Sequence, residues 1–309
     1  MSAAPMMRIF AVVVTYNPNF ERLARSVSIL SACVERVIVV DNASRTEVPG
    51  ELTRRTGMAI DSIVMSENLG VAAALNRGIE RAIERGATHV LLMDHDSEPV
   101  TGMIDGLAAA LDELSKERKV AAVGPTLVDS RTDEPLPFFR FGYLRLVKIR
   151  PAATEKYVRA DHLMTSGTLI PVEVVKDVGP MMESLFIDYV DIEWCFRAQA
   201  KGYECFGVRD ARLRHSLGNR TFTYRWFGSV KQSHAHSPFR YYYMCRNPWL
   251  FCRSRGLPMR VKISETFRSV ERLLIMPFIL KENRMANTRM MFCGIVDGVL
   301  GKGGALKRS

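Results

Sequence analysis

The feature that most constrains the fold is a series of short apolar segments that alternate with segments of helical spacing. Strand-length apolar runs occur at residues 9–15, 37–40, 63–65, 90–93 and 120–123. Helical spacing of apolar residues predicts helices over 20–33, 71–85 and 106–118. Strands that alternate with helices predict a mostly parallel sheet with helices on both faces, so we predict an α/β fold.

Polar residues follow several of these predicted strands at the point where each strand ends. Thr15 and Asp41 close the first two strands, Asn68 precedes the helix after the third, and Asp94 and Asp96 follow the fourth. The carboxyl ends of parallel strands share one edge of the sheet, and ligands of open α/β sheets bind outside that edge. We therefore predict that these side chains converge on one binding site.

The segment Asp94-His95-Asp96 directly follows the apolar run 89–93. Side chains of a strand alternate between its faces, so the two carboxylates point the same way. Magnesium in proteins keeps several waters and takes one or two carboxylates together with phosphate oxygens of the substrate. The pair therefore predicts a divalent cation shared with a diphosphate. A simple turn after the strand is the alternative, because Asp favours turns.

Composition and charge indicate a globular protein with anionic partners. The chain has 309 residues, 47% of them hydrophobic, and a net charge of +10. This charge suits phosphates, nucleic acid or an acidic membrane leaflet. Nucleic acid is disfavoured because the basic residues are not interleaved with stacking aromatics in one known module. The chain contains neither a GxGxxG nor a Walker sequence, which disfavours a dinucleotide oxidoreductase and a P-loop ATPase.

The cysteine pattern and the first residues predict a cytoplasmic protein. The six cysteines form no Cys-x-x-Cys pair and no zinc-type spacing, and the chain does not start with a secretory signal pattern. No apolar stretch is long enough to cross a bilayer. The short apolar stretch 273–280 is interpreted as a buried part of a helix, with an interfacial segment as the alternative.

Several motifs together resemble the family 2 glycosyltransferases of GT-A fold. They are Val13-Val14-Thr15-Tyr16-Asn17, Val39-Val40-Asp41-Asn42-Ala43-Ser44, Asn68-Leu69-Gly70 with Asn76, Asp94-His95-Asp96, and Asp191-Ile192-Glu193 with Arg197. Other segments are similar to the bacterial rhamnosyltransferase subgroup of this family. These are Asp94-His95-Asp96-Ser97, Ser166-Gly167-Thr168, residues 186–191, Arg240-Tyr241-Tyr242-Tyr243 with Arg246-Asn247, and residues 301–306.

The resemblance implies a Rossmann-like, mostly parallel GT-A sheet flanked by helices, with a helical C-terminal extension. The catalytic domain would cover residues 1–238, with a donor half over 1–128 and an acceptor half over 129–238. The sequence from residue 239 on is itself helical and basic, so residues 239–309 are predicted to form a helical region that contacts a membrane surface or another subunit. The basic residues of this last part would rest on an anionic leaflet or form a solvated basic face. They are Arg253, Arg255, Arg260, Lys262, Arg268, Arg272 and Lys281.

The activity implied by the resemblance is transfer of L-rhamnose from dTDP-L-rhamnose, with inversion and with a divalent cation, Mg²⁺ or Mn²⁺. The acceptor would be a hydroxyl of a lipid-linked sugar or a polysaccharide in cell-envelope glycan or glycolipid synthesis. The enzyme would be cytoplasmic, peripheral on the inner face of the cell membrane, and a homo-oligomer is left open. The alternatives are a family 2 enzyme that uses a UDP-sugar and a non-catalytic binding or scaffold protein on this fold.

The resemblance also assigns residues to the donor and the metal. The donor side would comprise Thr15, Tyr16, Asn17, Asp41, Asn68, Gly70, Asn76 and Asp94. Asp41 would accept the ring N–H of a pyrimidine base, or would instead form a turn after its strand. Asn68 would contact the nucleotide or cap the following helix. Asp96 would bind the metal directly, together with Asp94 and His215; for His215 an ordinary structural role is the alternative.

The general base implied by the resemblance is Asp191. Val190 stands where the family motif usually has Glu, and this departure makes Asp188 a rival base. The acceptor side would comprise Ser166, Gly167, Asp188, Glu193 and Trp194.

Overall fold

The computed structural model describes residues 7–215, 221–226, 229–234, 236–280 and 282–306, and leaves the side chains of 221–234 undescribed. Lys281, one of the predicted basic residues, lies outside this description. The strands are β1 (Ile9–Thr15), β2 (Arg36–Asp41), β3 (Asp61–Val64), β4 (His89–Asp94), β5 (Ser97–Pro99), β6 (Val120–Asp129), β7 (Phe138–Phe141), β8 (Leu146–Ile149), β9 (Tyr157–Ala160), β10 (Thr168–Pro171), β11 (Glu204–His215), β12 (Thr221–Trp226) and β13 (Ser229–His234). The helices are α1 (Phe20–Cys33), α2 (Val48–Thr56), α3 (Val71–Glu84), α4 (Met103–Ser115), α5 (Val172–Val178), α6 (Val190–Ala200), α7 (Pro238–Phe251), α8 (Met259–Ile279) and α9 (Arg284–Val299).

The central sheet has the strand order β3-β2-β1-β4-β10-β6-β11-β5, and β9 also pairs with β11. Strands β1 to β4 are parallel to one another, whereas β10 runs antiparallel to both β4 and β6. The predicted α/β fold with a mostly parallel sheet flanked by helices is therefore confirmed. Helices α7, α8 and α9 form the predicted helical C-terminal extension.

Both faces of the sheet are buried, which explains the nearly continuous apolar runs of the sequence. Along β1, Phe10 and Val12 belong to one hydrophobic core, whereas Ala11 and Val13 belong to the core on the other face. Two packed faces hold the strands in one register, because a slip by one residue would exchange the two sets of side chains. The carboxyl ends of β1, β2 and β4 are thereby fixed side by side.

The apolar stretch 273–280 differs from its prediction as a buried segment. It forms the last turns of α8, which continues through Pro277 to Ile279. Leu274 is 63% exposed and Phe278 is 76% exposed, and only Leu280 is buried. Leu273 and Met276 pack against a small core that includes Tyr241 and Met291, so the prediction holds for one side of the segment and is wrong for the other. Helical spacing alone does not reveal which face of a helix packs against the protein.

Candidate active site

The edge formed by β1 and β2 holds Asp41 in a network of hydrogen bonds. The two strands pair so that Thr15 lies opposite Asp41, and both side chains are buried. The Asp41 carboxylate accepts hydrogen bonds from Thr15 Oγ1 at 2.9 Å, from Ser44 N at 3.1 Å and from Ser44 Oγ at 2.5 Å. The turn that was the alternative reading is therefore present. A carboxylate has about four acceptor positions, so one position is left for a ring N–H.

The loop after β1 is joined to the loop after β2. Asn17, at φ 47°, donates its backbone N–H to Ser44 Oγ over 2.7 Å and accepts from the Arg45 backbone N–H over 3.0 Å. Tyr16, the preceding residue, is 46% exposed. Tyr16 thus presents a partly exposed aromatic ring one residue after Thr15, which lies opposite Asp41.

Asn42 and Asn68 connect the end of β2 to the start of α3. Asn42 Nδ2 donates to Asn68 Oδ1 at 3.0 Å, and Asn42 Oδ1 accepts from Leu69 N at 3.1 Å. Asn68 Oδ1 also accepts from Gly70 N at 3.0 Å. Gly70 has φ 93°, and a Cβ there would lie 2.4 Å from the carbonyl oxygen of Phe186. Only glycine fits this contact, so Gly70 brings the donor-side loop against the segment that contains Phe186.

Asp94, Asp96 and His215 form a cluster that fits a metal ion. One ligand atom from each residue lies within 4.8 Å of the others. His215 reaches the cluster because the end of β11 pairs with β5, the short strand that directly follows Asp96. Ser97 Oγ lies 2.7 Å from His215 Nδ1 and fixes the ring. Two carboxylates and one imidazole suit Mn²⁺, and the carboxylates alone suit Mg²⁺.

The electrostatics of Asp94 are those of a carboxylate that a bound cation would stabilise in its ionised form. Burial, together with the nearby carboxylate of Asp96, raises the pKa of Asp94 to about 7. Two ionised carboxylates repel each other unless a cation lies between them. The Asp94 backbone N–H donates to Ser166 Oγ at 3.2 Å, which joins the cluster to the predicted acceptor side.

Asp191 lies in the first turn of α6 and faces the same edge. Its carboxylate accepts hydrogen bonds from the Thr165 backbone N–H at 3.1 Å and from its neighbour Ile192 N at 2.8 Å. Burial raises the pKa of Asp191 to about 6, although the two backbone donors oppose this shift. Asp94 and Asp191 are close enough to affect each other's charge. A carboxylate with a pKa near neutrality can accept a proton during a reaction.

The rival base, Asp188, is held in an ion pair. Arg240 of α7 contacts its carboxylate at 3.0 Å and 3.4 Å, and Arg240 also lies within electrostatic reach of Asp94 and Asp96. The ion pair with Asp188 therefore holds a positive charge near the acidic cluster. This role of Arg240 was not predicted, because nothing in the sequence places it beside Asp188, about fifty positions earlier.

The segment that carries Asp188 has an unusual backbone. Phe186, Asp188 and Tyr189 have φ values of 64°, 62° and 67°, a region that costs a non-glycine residue about 1 kcal/mol or more. Asn247, fully buried in α7, donates to the carbonyl oxygens of Leu185, Ile187 and Asp188 at 2.6–2.9 Å. These bonds hold the segment in its strained conformation and position Asp188 in front of α6.

Arg246, the residue before Asn247, links the same segment to the last described residues. It donates to the carbonyl oxygens of Ser184 and Leu185 at 2.9 Å and 3.0 Å, and to that of Gly304 at 2.6 Å. The Gly304 backbone N–H in turn donates to the Ser184 carbonyl oxygen. The motifs around Arg246 and Gly304 therefore support one loop of the site, although they are far apart in the sequence.

We expect Asn247→Ala to reduce stability by about 3 kcal/mol, because carbonyl oxygens of Ile187 and Asp188 would lose their buried donor. The turnover of the folded variant should fall as well, because Asp188 and Arg240 would lose their fixed position. Chemical unfolding and steady-state kinetics measure the two effects. Asn287→Ala removes a buried amide of α9 that bonds the Glu282 carbonyl oxygen instead, and should leave turnover unchanged. Equal turnover losses in both variants would contradict the positioning role of Asn247.

Three of the predicted site residues do not face the site. Asn76 is buried in α3, and its amide bonds the backbone of Met181 through both Nδ2 and Oδ1. Glu193 is fully buried in an ion pair with Arg197, at 2.8 Å, and Trp194 donates to the Gly179 carbonyl oxygen from inside the core. The predicted donor contact of Asn76 and the predicted acceptor contacts of Glu193 and Trp194 therefore need correction: all three residues support the structure.

Comparison with known proteins places this site in a family. A model described as "Glycosyltransferase like family 2" matches residues 7–237. The dTDP-rhamnosyl transferase RfbF of Shigella flexneri is 30% identical over 299 residues, which cover 95% of this chain and 96% of the relative.

Solved structures agree in fold. GalNAc-T7 with UDP, GalNAc and Mn²⁺ superimposes with a TM-score of 0.58 at 17% identity, over 87% of this chain and 55% of that protein, so the chain spans about half of it. Residues 1–349 of S. aureus TarS superimpose with a TM-score of 0.57 at 14% identity, over 95% of this chain and 81% of that chain. At such low sequence identities, these similarities show only that the fold is shared. The family match and the relative together show that this chain belongs to the family 2 glycosyltransferases and is a glycosyltransferase enzyme.

Proposed function

We propose that this enzyme transfers L-rhamnose from dTDP-L-rhamnose to a hydroxyl group, with inversion at the anomeric carbon. The observation that carries the proposal is the cluster of Asp94, Asp96 and His215 with Asp191 at the same sheet edge. The name of the Shigella flexneri relative supports the choice of sugar and nucleotide. A UDP-sugar is the second candidate donor, because TarS was solved in complex with UDP-GlcNAc.

The donor's nucleotide would lie along the ends of β1 and β2. Asp41 accepts the ring N–H of thymine, and the exposed ring of Tyr16 stacks on the base. Thr15 and Asn17 hold these two groups in place, and Asn68 and Gly70 face the ribose and phosphates. Asp94, at the end of β4, bonds the ribose or the sugar.

The cation would be held by Asp96, with Asp94 and His215 as further ligands, and its chemistry is to offset charge on the departing dTDP. The fixed guanidinium of Arg240 adds positive charge on the same side. These residues therefore stabilise the leaving group rather than the acceptor.

The reaction would be a single displacement. Asp191 accepts the proton of the acceptor hydroxyl while its oxygen bonds the anomeric carbon from the face opposite the diphosphate. The bond between the anomeric carbon and the diphosphate oxygen breaks in the same step. The acceptor would be a lipid-linked sugar or a polysaccharide of the cell envelope, such as lipopolysaccharide. It would lie against Ser166, Gly167 and Asp188, which border Asp94 and Asp191.

The rate of sugar transfer is expected to increase with pH and to level off above about pH 6. Burial raises the pKa of Asp191 to about 6, so the base keeps its proton below that pH and cannot accept another. Single-turnover rates at saturating metal and donor, from about pH 5 to about pH 8, should show one such limb. The limb should be absent in Asp191→Asn. A rate that is flat over this range in the parent enzyme would contradict the assignment.

Binding calorimetry tests the proposed donor directly. We would titrate dTDP, UDP, GDP and dTDP-L-rhamnose into the full chain, with Mn²⁺ and with a chelator. Metal-dependent binding of dTDP and dTDP-L-rhamnose alone supports the proposal. A preference for UDP would keep the reaction type and replace the donor. Absence of nucleotide binding under both conditions would favour the alternative of a non-catalytic scaffold.

A further inference from the structure

The positive charge of this protein is concentrated in its last quarter. Residues 239–309 contain fourteen Lys and Arg and four Asp and Glu, a net charge of +10. Residues 1–238 contain 29 basic and 29 acidic residues and are therefore neutral. The whole net charge of the chain thus belongs to the segment of α7, α8 and α9. The proposed catalysis uses only Arg240 among these fourteen basic residues as a charge near the leaving group, so it does not explain the separation.

Helix α8 packs against the protein with the opposite side from an ordinary surface helix. An ordinary surface helix buries its apolar side, whereas α8 buries a mostly polar one. Its buried residues are mostly polar: Ser264 and Glu265 are fully buried and Ser269 is 1% exposed. Glu265 accepts a hydrogen bond from Tyr189 and pairs with Arg268, and Ser269 accepts one from Trp249, so these two side chains have partners inside the protein.

The opposite side of α8 carries a continuous exposed apolar stripe. Its members recur every three or four residues, the spacing of one helix face. They are Met259, Ile263, Phe267, Val270, Leu274 and Phe278, each between 42% and 76% exposed. Met285, just after the turn into α9, is 87% exposed. A stripe of this size on a soluble surface marks an interaction site.

Basic side chains border this stripe. Lys262 precedes Ile263, and the Arg284 guanidinium lies 5.5 Å from the centre of the Phe278 ring. Apolar residues that insert between headgroups, flanked by cations that contact phosphates, are the composition of a helix that lies in a membrane interface. Among the described residues, no helix is both long and apolar enough to span a bilayer.

We propose that the exposed face of α8 docks on an anionic lipid surface. The outer stripe would enter the headgroup region, and the excess charge of the C-terminal segment would be neutralised by acidic lipids. A second copy of the chain is a poorer partner, because two segments with a charge of +10 would repel each other across the interface. The docking would keep the enzyme near lipid-linked acceptors, yet it does not depend on which nucleotide-sugar is used.

Vesicle flotation tests the proposal with the full chain. We expect binding to phosphatidylcholine vesicles that contain phosphatidylglycerol, no binding to phosphatidylcholine alone, and weaker binding as salt increases. Leu274→Ser with Phe278→Ser should weaken binding by at least about tenfold, because two inserted side chains are lost. Lys262→Glu with Arg284→Glu should weaken it by at least about tenfold, because each basic residue near an acidic surface contributes about 1 kcal/mol.

A matched control is Tyr143→Ser with Leu144→Ser, which removes two side chains that are 75% and 51% exposed in the turn between β7 and β8. It should bind the vesicles as the parent does. No binding to acidic vesicles at low salt, or equal losses in the control and the α8 variants, would overturn the proposal. A dimer in light scattering that Leu274→Ser with Phe278→Ser dissociates, without vesicle binding by the parent, would overturn it in favour of a second copy. Donor calorimetry would be unaffected by each of these outcomes.

Discussion

Turnover is expected to fall by about 10²–10⁴-fold when Asp191 is replaced with Asn, because a general base contributes a factor of this size. The backbone N–H groups of Thr165 and Ile192 bond different oxygens of the Asp191 carboxylate, so the single Asn oxygen keeps one of these two bonds. The substitution does not touch the proposed donor and metal residues, so the affinity for dTDP and metal should stay within about twofold of the parent's. Single-turnover rates and calorimetry on the same preparations measure the two quantities.

The comparison with Asp188 distinguishes the two candidate bases. Asp188→Asn removes the negative partner of Arg240 and so changes the local charge balance. We expect only a small decrease in the affinity for the donor. Its single-turnover rate should exceed that of Asp191→Asn, and its rise with pH should persist. Asp210→Asn, which changes an exposed carboxylate on β11 paired with Arg209, serves as a matched control. Loss of the pH-dependent limb in Asp188→Asn, with retention in Asp191→Asn, would make Asp188 the base.

Replacement of Asp96 with Asn is expected to abolish metal-dependent binding of the donor. Loss of a supporting contact to a metal ligand costs about 10–100-fold in metal affinity, and loss of a ligand itself should cost at least as much. Titration with Mn²⁺ and dTDP, by calorimetry and by the paramagnetic signal of free Mn²⁺, would measure the loss. The metal-independent part of nucleotide binding, which Asp41 and Tyr16 would provide, should be retained.

Asp105→Asn is the matched control for Asp96→Asn, since Asp105 is an exposed carboxylate in the first turn of α4. It should bind Mn²⁺ and dTDP as the parent does. His215→Ala should weaken Mn²⁺ binding more than Mg²⁺ binding, because imidazole is a better ligand for the softer ion. If Asp96→Asn bound donor with metal as tightly as the parent enzyme, the cluster would not be a metal site.

The strand ends of the donor side were predictable because two independent signals coincide there. Apolar runs fixed the positions of β1, β2 and β4, and polar residues directly after them fixed the shared edge. Helix α2 was missed because only Val48 and Leu52 of its nine residues are buried, which is too few for a periodic pattern. The hairpin of β7 and β8 was also missed, because its residues lie outside the alternating pattern of the main sheet.

The errors on the acceptor side have a geometric cause. Positions 191 and 193 of a helix differ by about 200°, so Glu193 cannot share a face with Asp191. Trp194 lies about 300° around the helix from Asp191, which is close to the same face. Its large side chain nevertheless packs in the core. Arg240 could not be placed from the sequence at all. Its contact with Asp188 depends on how α7 returns to the sheet edge, which is a property of the tertiary fold.

The pairing of β5 with the end of β11 has a consequence for any attempt to recombine this enzyme with its relatives. His215 and Ser97 meet although 118 positions separate them, so the proposed metal site is shared between the segment that precedes residue 128 and the segment that follows it. A chimera that exchanges residues 1–128 would import the strand ends at which we propose that the nucleotide binds, and would keep the native histidine. Such hybrids should inherit nucleotide preference from one parent, while their choice between Mn²⁺ and Mg²⁺ would depend on how well the two inherited strands align.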